Sequence, residues 1–134
     1  MYRLHNKVII DSELNWNYFS HNNLELWLCG YLYNHKPLDL LEEMSLILKI
    51  NSTAKNKEFI NNLDGCYAFV LRTKKQLIFA VDQVASIPLF FSNMGQFIVV
   101  SNKPEEIKKN LMEKDRVLND KSLIEISMSG YVVN

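Results

Sequence analysis

Large and apolar residues fall along the chain in runs and spacings that predict a strand followed by helices. Residues 24–33 are rich in large and aromatic side chains and lie between polar segments, which predicts a strand. Apolar residues then recur every three or four positions, which predicts an amphipathic helix: Leu40, Leu41, Met44, Ile47 and Leu48. Asn51 or Ser52 can cap a second, shorter helix with Phe59, Ile60 and Leu63 as its apolar edge.

The middle of the chain contains two nearly continuous apolar runs, residues 66–71 and 77–81. The segment between them is too short for anything but an antiparallel hairpin. Neither run alternates apolar with polar positions, as a sheet with one wet face would. We therefore expect both faces of this hairpin to be covered by other layers.

A second hairpin is predicted from the apolar runs at residues 87–91 and 97–100. Gly95 can supply the positive φ that the turn between them needs. Pro88 has no amide hydrogen, so it should begin its strand or lie at a sheet edge.

Two further helices are expected in the last third of the chain. Residues 101–106 place a capping side chain and an early proline before two carboxylates, which is typical of a helix start. A last helix is predicted at residues 122–129, capped by Asn119 or Asp120 and stopped by Gly130.

At 134 residues the chain is long enough for one domain that buries about two thirds of its unfolded surface. No linker divides it, so we expect a single α+β domain over residues 1–134. Fifteen basic residues balance fifteen acidic ones, which argues against nucleic acid or a membrane as a partner. No apolar run approaches the roughly 18 residues of a spanning helix, and the first residues lack the order of a signal peptide. A cytoplasmic protein is therefore expected.

Four segments carry a resemblance to a known family. They are C-G-Y-L-Y-N-H at residues 29–35, L-D-G-C-Y-A-F at 63–69, D-Q-V-A-S-I-P-L at 82–89, and residues 122–131, which end in G-Y. The N-terminal glutaminase-type domain of asparagine synthetases and their relatives has N-G-E-I-Y-N-H, L-x-G-x-F-A-F, R-D-x-x-G-x-x-P-L-Y and a helix ending in G-Y-V. The chain therefore resembles this domain over roughly residues 24–134.

The resemblance implies a four-layer αββα sandwich in which two antiparallel sheets stack between helices, shortened at the N-terminus. This is the arrangement of class II glutamine amidotransferases and N-terminal-nucleophile hydrolases. In that family the domain continues into a synthetase domain that uses ATP and magnesium to adenylate a carboxylate before an amine attacks it. The implied partner is an asparagine-synthetase-like ATP-binding domain, in the same chain or a separate one, with a peptide substrate as a further candidate. No cofactor is expected in this chain itself.

The same comparison implies that glutaminase chemistry is lost. The family's nucleophile is a cysteine at the start of the mature chain, whereas this sequence begins Met1-Tyr2. Cys29 stands where the family's oxyanion hole has asparagine, and Tyr31 replaces the glutamate of that motif. The T-G-S-D-like run and the R-G-P-D loop that bind glutamine are absent from the sequence. We therefore expect no catalytic residues.

What remains is a remnant pocket. Its members are Cys29, Gly30, Tyr31, Asn34, Asp64, Gly65 and Asp82. Cys29 and Cys66 lie in apolar runs without a CxxC partner, which favours ordinary buried thiols over redox or metal-binding ones. Turn-stabilising roles are favoured for Asp64 and Asp82, which lie beside strands.

The other candidate residues also have structural interpretations. Val81 and Ala85 replace the family's arginine and glycine around Asp82. His35 more naturally closes a turn at the strand end than acts as a base. His5 and His21 have no carboxylate cluster at metal-ligand spacing, so no metal site is expected.

Three hypotheses follow. The first is a catalytically inactive glutaminase-like domain that serves as the structural or docking part of an asparagine-synthetase-like, ATP-dependent amide-bond-forming enzyme. Lasso-peptide cyclases and β-lactam synthetases, whose amine comes from within the substrate, are relatives of this kind. The second is a stand-alone module that binds a peptide or amino acid in the remnant pocket, motivated by Trp27, Tyr31 and Tyr33. The third is an enzyme that uses Cys29 and His35 as nucleophile and base.

Overall fold

The computed structural model describes residues 6–95 and 97–111 of the chain. They form seven strands and three α-helices, with a single 3-10 turn at Ser12–Leu14. In chain order these are β1 Lys7–Ile9, β2 Trp16–His21, β3 Leu24–Leu32, α1 Pro37–Lys49, α2 Thr53–Asn61, β4 Gly65–Arg72, β5 Leu77–Val81, β6 Phe90–Asn93, β7 Ile98–Ser101 and α3 Pro104–Asn110. The fold is mixed α+β, as the sequence predicts.

The strands form two sheets. The larger is antiparallel with the order β2-β3-β4-β5, and the smaller has the order β1-β7-β6. β6 and β7 are antiparallel, but β1 pairs with β7 in parallel. The expectation of two antiparallel sheets is therefore wrong for the smaller one. Because β1 and β7 lie at opposite ends of the described chain, no hairpin has to connect them, and either direction is open to them.

Two apolar clusters hold the layers together. Helices α1 and α2 cover one face of the larger sheet, where Leu40, Leu41 and Met44 are fully buried against Leu26 and Phe69. The smaller sheet packs on the other face, and a second cluster joins the two sheets: Trp16, Cys29, Ala68, Val70 and Val100. β4 is buried on both faces, which confirms that its apolar run without alternation is covered on both sides. Helix α3 contacts β6 and β7.

The sequence predicts a capping side chain for α2 and for α3, and the predicted cap is present only in α2. Asp39 accepts the amide of Lys36 before α1 at 3.3 Å, and the Ser52 hydroxyl accepts the amide of Lys55 in α2 at 3.4 Å. In α3 the residue at the cap is Lys103, which gives no side-chain cap bond. The Ser101 hydroxyl accepts the Lys103 amide at 3.0 Å instead.

Some elements differ from the prediction or were missed. β6 begins at Phe90, two residues after Pro88, so Pro88 precedes this edge strand and does not begin it. In the turn after β6, Gly95 has the predicted positive φ, at 82°. Neither β1 nor β2 was predicted. The helix predicted at residues 122–129 lies outside the described residues. Within the described ranges no helix is long and apolar enough to cross a membrane.

Candidate functional site

The remnant pocket residues lie mainly where the end of β3 pairs with the start of β4, which we call the β3–β4 end. Gly30 has φ 85°, and a β carbon there would overlap the carbonyl oxygen of Cys66. Gly65 has φ 152°, and a β carbon there would overlap the carbonyl oxygen of Tyr31. Both glycines are thus required by a left-handed backbone and by a neighbouring strand that leaves no room for a side chain.

Asp82 is the organising residue at the adjoining end of β5. It is buried, with 7% of its surface exposed. Its Oδ2 accepts the amide of Tyr67 at 3.1 Å, and its Oδ1 accepts the amides of Val84 and Ser86 at 3.0 and 3.2 Å. The Ser86 hydroxyl also donates to Oδ2 in a short contact. Asp82 therefore fixes a turn, as the sequence interpretation favours.

These bonds lower the pKa of Asp82 below its ordinary value. The Ser86 hydroxyl is the largest cause, the backbone amides of Ser86, Val84 and Tyr67 add to it, and burial opposes it. The carboxylate consequently stays ionised near neutral pH. Its oxygens are already engaged by four donors, so this geometry suits a structural anion and not a general base.

Ala85 occupies an unusual backbone conformation within the same turn. Its φ is 49°, and its amide donates to the carbonyl oxygen of Asp82 at 3.0 Å. Positive φ is costly for residues with a β carbon and free of that cost for glycine. The resembling family motif has glycine at this position, and the turn here has a glycine-like conformation at an alanine.

Cys66 extends the turn network. Its Sγ lies 2.9 Å from the Ser86 hydroxyl oxygen, and its side chain is half-buried. Because the Ser86 hydrogen goes to Asp82, the bonds run from thiol to hydroxyl to carboxylate. The prediction of a plain buried thiol is therefore incomplete for Cys66. Ser86 was missed as a member of the site, although an aspartate four residues before a serine in a turn segment is a usable signal.

Cys29 is fully enclosed in the cluster between the two sheets. Only 8% of its surface is exposed, and its thiol donates to the Leu14 carbonyl oxygen at 3.7 Å. Burial is the main cause that raises the pKa of Cys29. A raised pKa disfavours the thiolate, so this side chain is poorly suited to nucleophilic attack. The prediction that Cys29 is buried is confirmed.

The tyrosines of the β3–β4 end are the exposed part of the site. Tyr31 and Tyr33 are 54% and 64% exposed, and their ring centroids lie 5.4 Å apart in an edge-to-face arrangement. A hydrogen bond with Tyr33 is the main cause that raises the pKa of Tyr31. The Tyr33 amide donates to the Asp64 carbonyl oxygen at 2.9 Å. The side chains of Asn34 and Asp64 are exposed and make no hydrogen bond within the described part of the chain. Asp64 therefore holds the adjoining backbone through its carbonyl oxygen, and not through its side chain as a turn-stabilising aspartate would.

His35 and Cys29 do not meet. The His35 Nε2 lies 3.2 Å from Glu43 Oε2 on α1, and its ring lies 5.9 Å from that of Phe59. These contacts are on the helix side of the larger sheet, whereas Cys29 faces the smaller sheet. The nucleophile and base hypothesis therefore has no structural support. Among the described residues no group of three or more histidine, cysteine, aspartate or glutamate side chains could hold a metal ion.

A groove of about 530 Å³ lies at the opposite end of the larger sheet. It is formed by the β2–β3 turn, the end of α1 and the β4–β5 turn, and its charged lining residues are Lys49, Lys74 and Lys75. The register separates it from the β3–β4 end, because Glu25 pairs with Arg72 near the groove and Leu32 pairs with Gly65 at the far end. None of the remnant pocket residues lines it.

The structure thus brings Gly30, Tyr31, Gly65 and Asp82 to one end of the sandwich, together with Cys66 and Ser86. Cys29 belongs to the core, and Asn34 and Asp64 lie at the surface beside the site. No family model matches this chain, and no curated protein or solved structure matches it.

Proposed function

We propose that this chain is a catalytically inactive glutaminase-like domain that acts as the structural or docking part of an asparagine-synthetase-like, ATP-dependent amide-bond-forming enzyme. The partner is an ATP- and magnesium-using synthetase domain, in the same chain or in a separate one. The amine that attacks the activated carboxylate then comes from within the substrate, because this domain supplies no ammonia. Such an enzyme would act in the cytoplasm.

One observation carries this proposal: the residues that match the family motifs are those that the local backbone conformation requires. Gly30 and Gly65 permit the close approach of the paired strands β3 and β4. Asp82 gathers the turn that leads from β5 to β6, and Ala85 takes a positive φ where the family motif has glycine. Where the family has residues that take part in the reaction, this chain has different ones, such as Cys29 in place of the oxyanion-hole asparagine. This is the expected outcome when a fold is retained and its reaction is lost.

The order of the layers supports the same interpretation. Helices α1 and α2 lie on the larger sheet, the smaller sheet lies on its other face, and α3 contacts the smaller sheet. A four-layer αββα sandwich of the amidotransferase type has this sequence of layers. The four-layer arrangement and its kinship with N-terminal-nucleophile hydrolases are part of the proposal.

The environment of Cys29 supports the loss of glutaminase activity. An oxyanion hole at this position needs a side-chain donor aimed at the substrate. The Cys29 thiol instead points into the apolar cluster and donates to Leu14.

Two assays on the material purified from its own cells test the proposal. The chain should release no glutamate from glutamine, whereas release that is lost in Cys29→Ser would contradict the inactive assignment. The assembly that purifies with the chain should exchange pyrophosphate into ATP when a carboxylate substrate is present, because adenylation is reversible. Copurified material without ATP-dependent exchange would contradict the synthetase partner.

A second candidate function is a module that binds a peptide or an amino acid at the β3–β4 end. The exposed pair of Tyr31 and Tyr33 favours it, since adjacent exposed aromatic rings are common in recognition surfaces. Binding should then fall in Tyr31→Ala and in Asn34→Ala. Tyr18→Ala is the matched control, because Tyr18 is equally exposed but lies on β2, away from this end. Binding that survives both site variants excludes this candidate.

A further inference from the structure

The open edge of β5 differs from the other sheet edges in the described part of the chain. β5 is the last strand of the larger sheet, and its residues are all apolar: Leu77, Ile78, Phe79, Ala80 and Val81. Edge strands usually carry charged residues or proline that discourage pairing with another chain. Of the other edge strands, β1 contains a charged residue, Lys7, and β2 and β6 contain uncharged polar residues such as Asn17 and Ser92. β5 has no such protection.

Two hydrogen bonds establish which backbone groups of β5 point away from β4. The Thr73 amide donates to the Gln76 carbonyl oxygen at 2.9 Å, and the Asp82 amide donates to the Tyr67 carbonyl oxygen at 2.9 Å. These bonded pairs lie just outside the two ends of β5, and bonded pairs alternate with non-bonded pairs along an antiparallel ladder. The residues whose N–H and C=O groups point outward are therefore Leu77, Phe79 and Val81.

We propose that two copies of this chain associate by antiparallel pairing of their β5 strands about a twofold axis at Phe79. In this register Phe79 faces Phe79 of the second copy, and Leu77 faces Val81 of the second copy. Every outward N–H group then meets an outward C=O group, so no backbone group of either strand is left unpaired along the interface. The two larger sheets become one continuous sheet.

The side chains along the paired strands are compatible as well. Leu77, Phe79 and Val81 belong to the face that packs on the smaller sheet, and Ile78 and Ala80 belong to the face that packs on the helices. Each apolar residue therefore faces another apolar residue on both sides of the joined sheet. The formal net charge of the chain is zero, so two copies do not repel each other over long range.

Phe91 extends the same surface onto the smaller sheet. It is 59% exposed, and its ring centroid lies 5.0 Å from that of Phe79. Since Phe91 lies against the residue at the twofold axis, the approach of a second copy brings both Phe91 rings beside that axis. The interface thus covers an exposed aromatic side chain in addition to the backbone edge.

Cysteine cross-linking of the full chain tests the register. Residue 79 is the position that faces itself, so Phe79→Cys should form an intermolecular disulfide under mild oxidation. Leu77→Cys is the matched control: residue 77 is separated from its own copy by four positions, about 13 Å, which a disulfide cannot span. We expect about tenfold more cross-linked dimer for Phe79→Cys than for Leu77→Cys. The unaltered chain reports any contribution of Cys29 and Cys66.

Sedimentation velocity of the unaltered chain at several concentrations supplies a readout that does not depend on a variant. A concentration-dependent dimer is expected, and Leu77→Lys should weaken it by about tenfold or more, because the lysine faces Val81 of the second copy. A chain that stays monomeric at all concentrations overturns the proposal. Equal cross-linking at positions 77 and 79 overturns it too.

Discussion

Asp82 and Tyr67 bond to each other twice. The Asp82 amide donates to the Tyr67 carbonyl oxygen at 2.9 Å, and the Tyr67 amide donates to the Asp82 Oδ2 at 3.1 Å. The first bond is the last of the β4–β5 ladder. The second goes to a carboxylate that also accepts the amides of Val84 and Ser86 and so fixes the turn after β5. The geometry of the β3–β4 end therefore depends on one buried anion.

Asp82→Asn should destabilise the fold and change its dependence on pH. The carboxamide cannot accept the same donors with a full charge, and its N–H₂ group opposes the amides that face it. Because the folded-state pKa of Asp82 is lowered, its stabilising contribution is present above its unfolded pKa and is lost as the pH falls through the folded pKa. The difference in urea unfolding free energy between the two proteins should thus be largest near neutral pH and shrink below about pH 4.

Asp64→Asn is the control for this effect. Asp64 is exposed, and its side chain makes no hydrogen bond within the residues described. Its substitution should leave the unfolding free energy nearly unchanged, because no side-chain hydrogen bond is lost. An Asp82→Asn protein that behaves like Asp64→Asn would contradict the role given to the Asp82 carboxylate.

Gly30→Ala should cost far more stability than Gly95→Ala. Both glycines have a φ above 80°, so both variants incur the backbone strain of about 1–2 kcal/mol. A β carbon at Gly30 also overlaps Cys66 and Ile87, whereas nothing lies within 4 Å of one at Gly95. We expect a loss of about 3 kcal/mol or more for Gly30→Ala in chemical denaturation. Equal losses would show that β4 lies less close to Gly30 than described.

Ala85→Gly should stabilise the protein. Glycine takes the positive φ of residue 85 without strain. The relief of this strain outweighs the free-energy cost of the extra freedom that glycine gives the unfolded chain, so the net gain in stability is about 0.5 kcal/mol. Ala54→Gly provides the opposite sign, because Ala54 lies in α2 and glycine costs up to about 1 kcal/mol in a helix. Thermal unfolding of the two variants beside the unaltered chain measures both effects. A lower melting temperature for Ala85→Gly would contradict the assigned backbone conformation.

The ion pair between Glu25 and Arg72 should be worth more than an ordinary surface pair. The Arg72 Nε lies 2.6 Å from Glu25 Oε2, directly across β3 and β4, and the guanidinium group lies 5.1 Å from the Trp27 ring centroid. Each side chain is about one third exposed, so solvent screens the pair in part. A double-mutant cycle with Glu25→Gln and Arg72→Met should give a coupling of about 0.5–1 kcal/mol that falls with added salt.

The pair of Lys109 and Glu106 is the comparison for that cycle. It lies one turn apart on α3, and Lys109 is 68% exposed. Its coupling should be smaller, at about 0.3 kcal/mol. Equal coupling free energies would contradict the prediction that the position of Glu25 and Arg72 across the sheet strengthens their ion pair.

The sequence pattern predicted the elements whose buried residues follow a regular local spacing. β3, α1, α2 and the β4–β5 hairpin appear near their expected positions, because each buries a continuous run or one helical stripe. β2 was missed because it is an edge strand in which only Trp16 is buried, so its polar positions hide the pattern.

β1 was missed for a different reason. Its placement depends on contacts with residues about 90 positions away, such as the 2.9 Å bond from the Ile98 amide to Asn6 Oδ1 and the paired bonds between Asp11 and Asn102. No local pattern records such contacts.

The candidate site was likewise predictable only in part. Motif resemblance selected Gly30, Gly65 and Asp82, but only the fold shows that Ser86 and Cys66 join them.

The measurement that tests the proposed function most directly is the intact mass of the species obtained when this protein is tagged at its N-terminus in its own cells and purified gently. We predict either a tagged species several times heavier than this chain, which carries an ATP-binding synthetase domain, or a stoichiometric separate partner of that kind. A tagged chain of 134 residues without such a partner would contradict the proposal and favour an independent binding module.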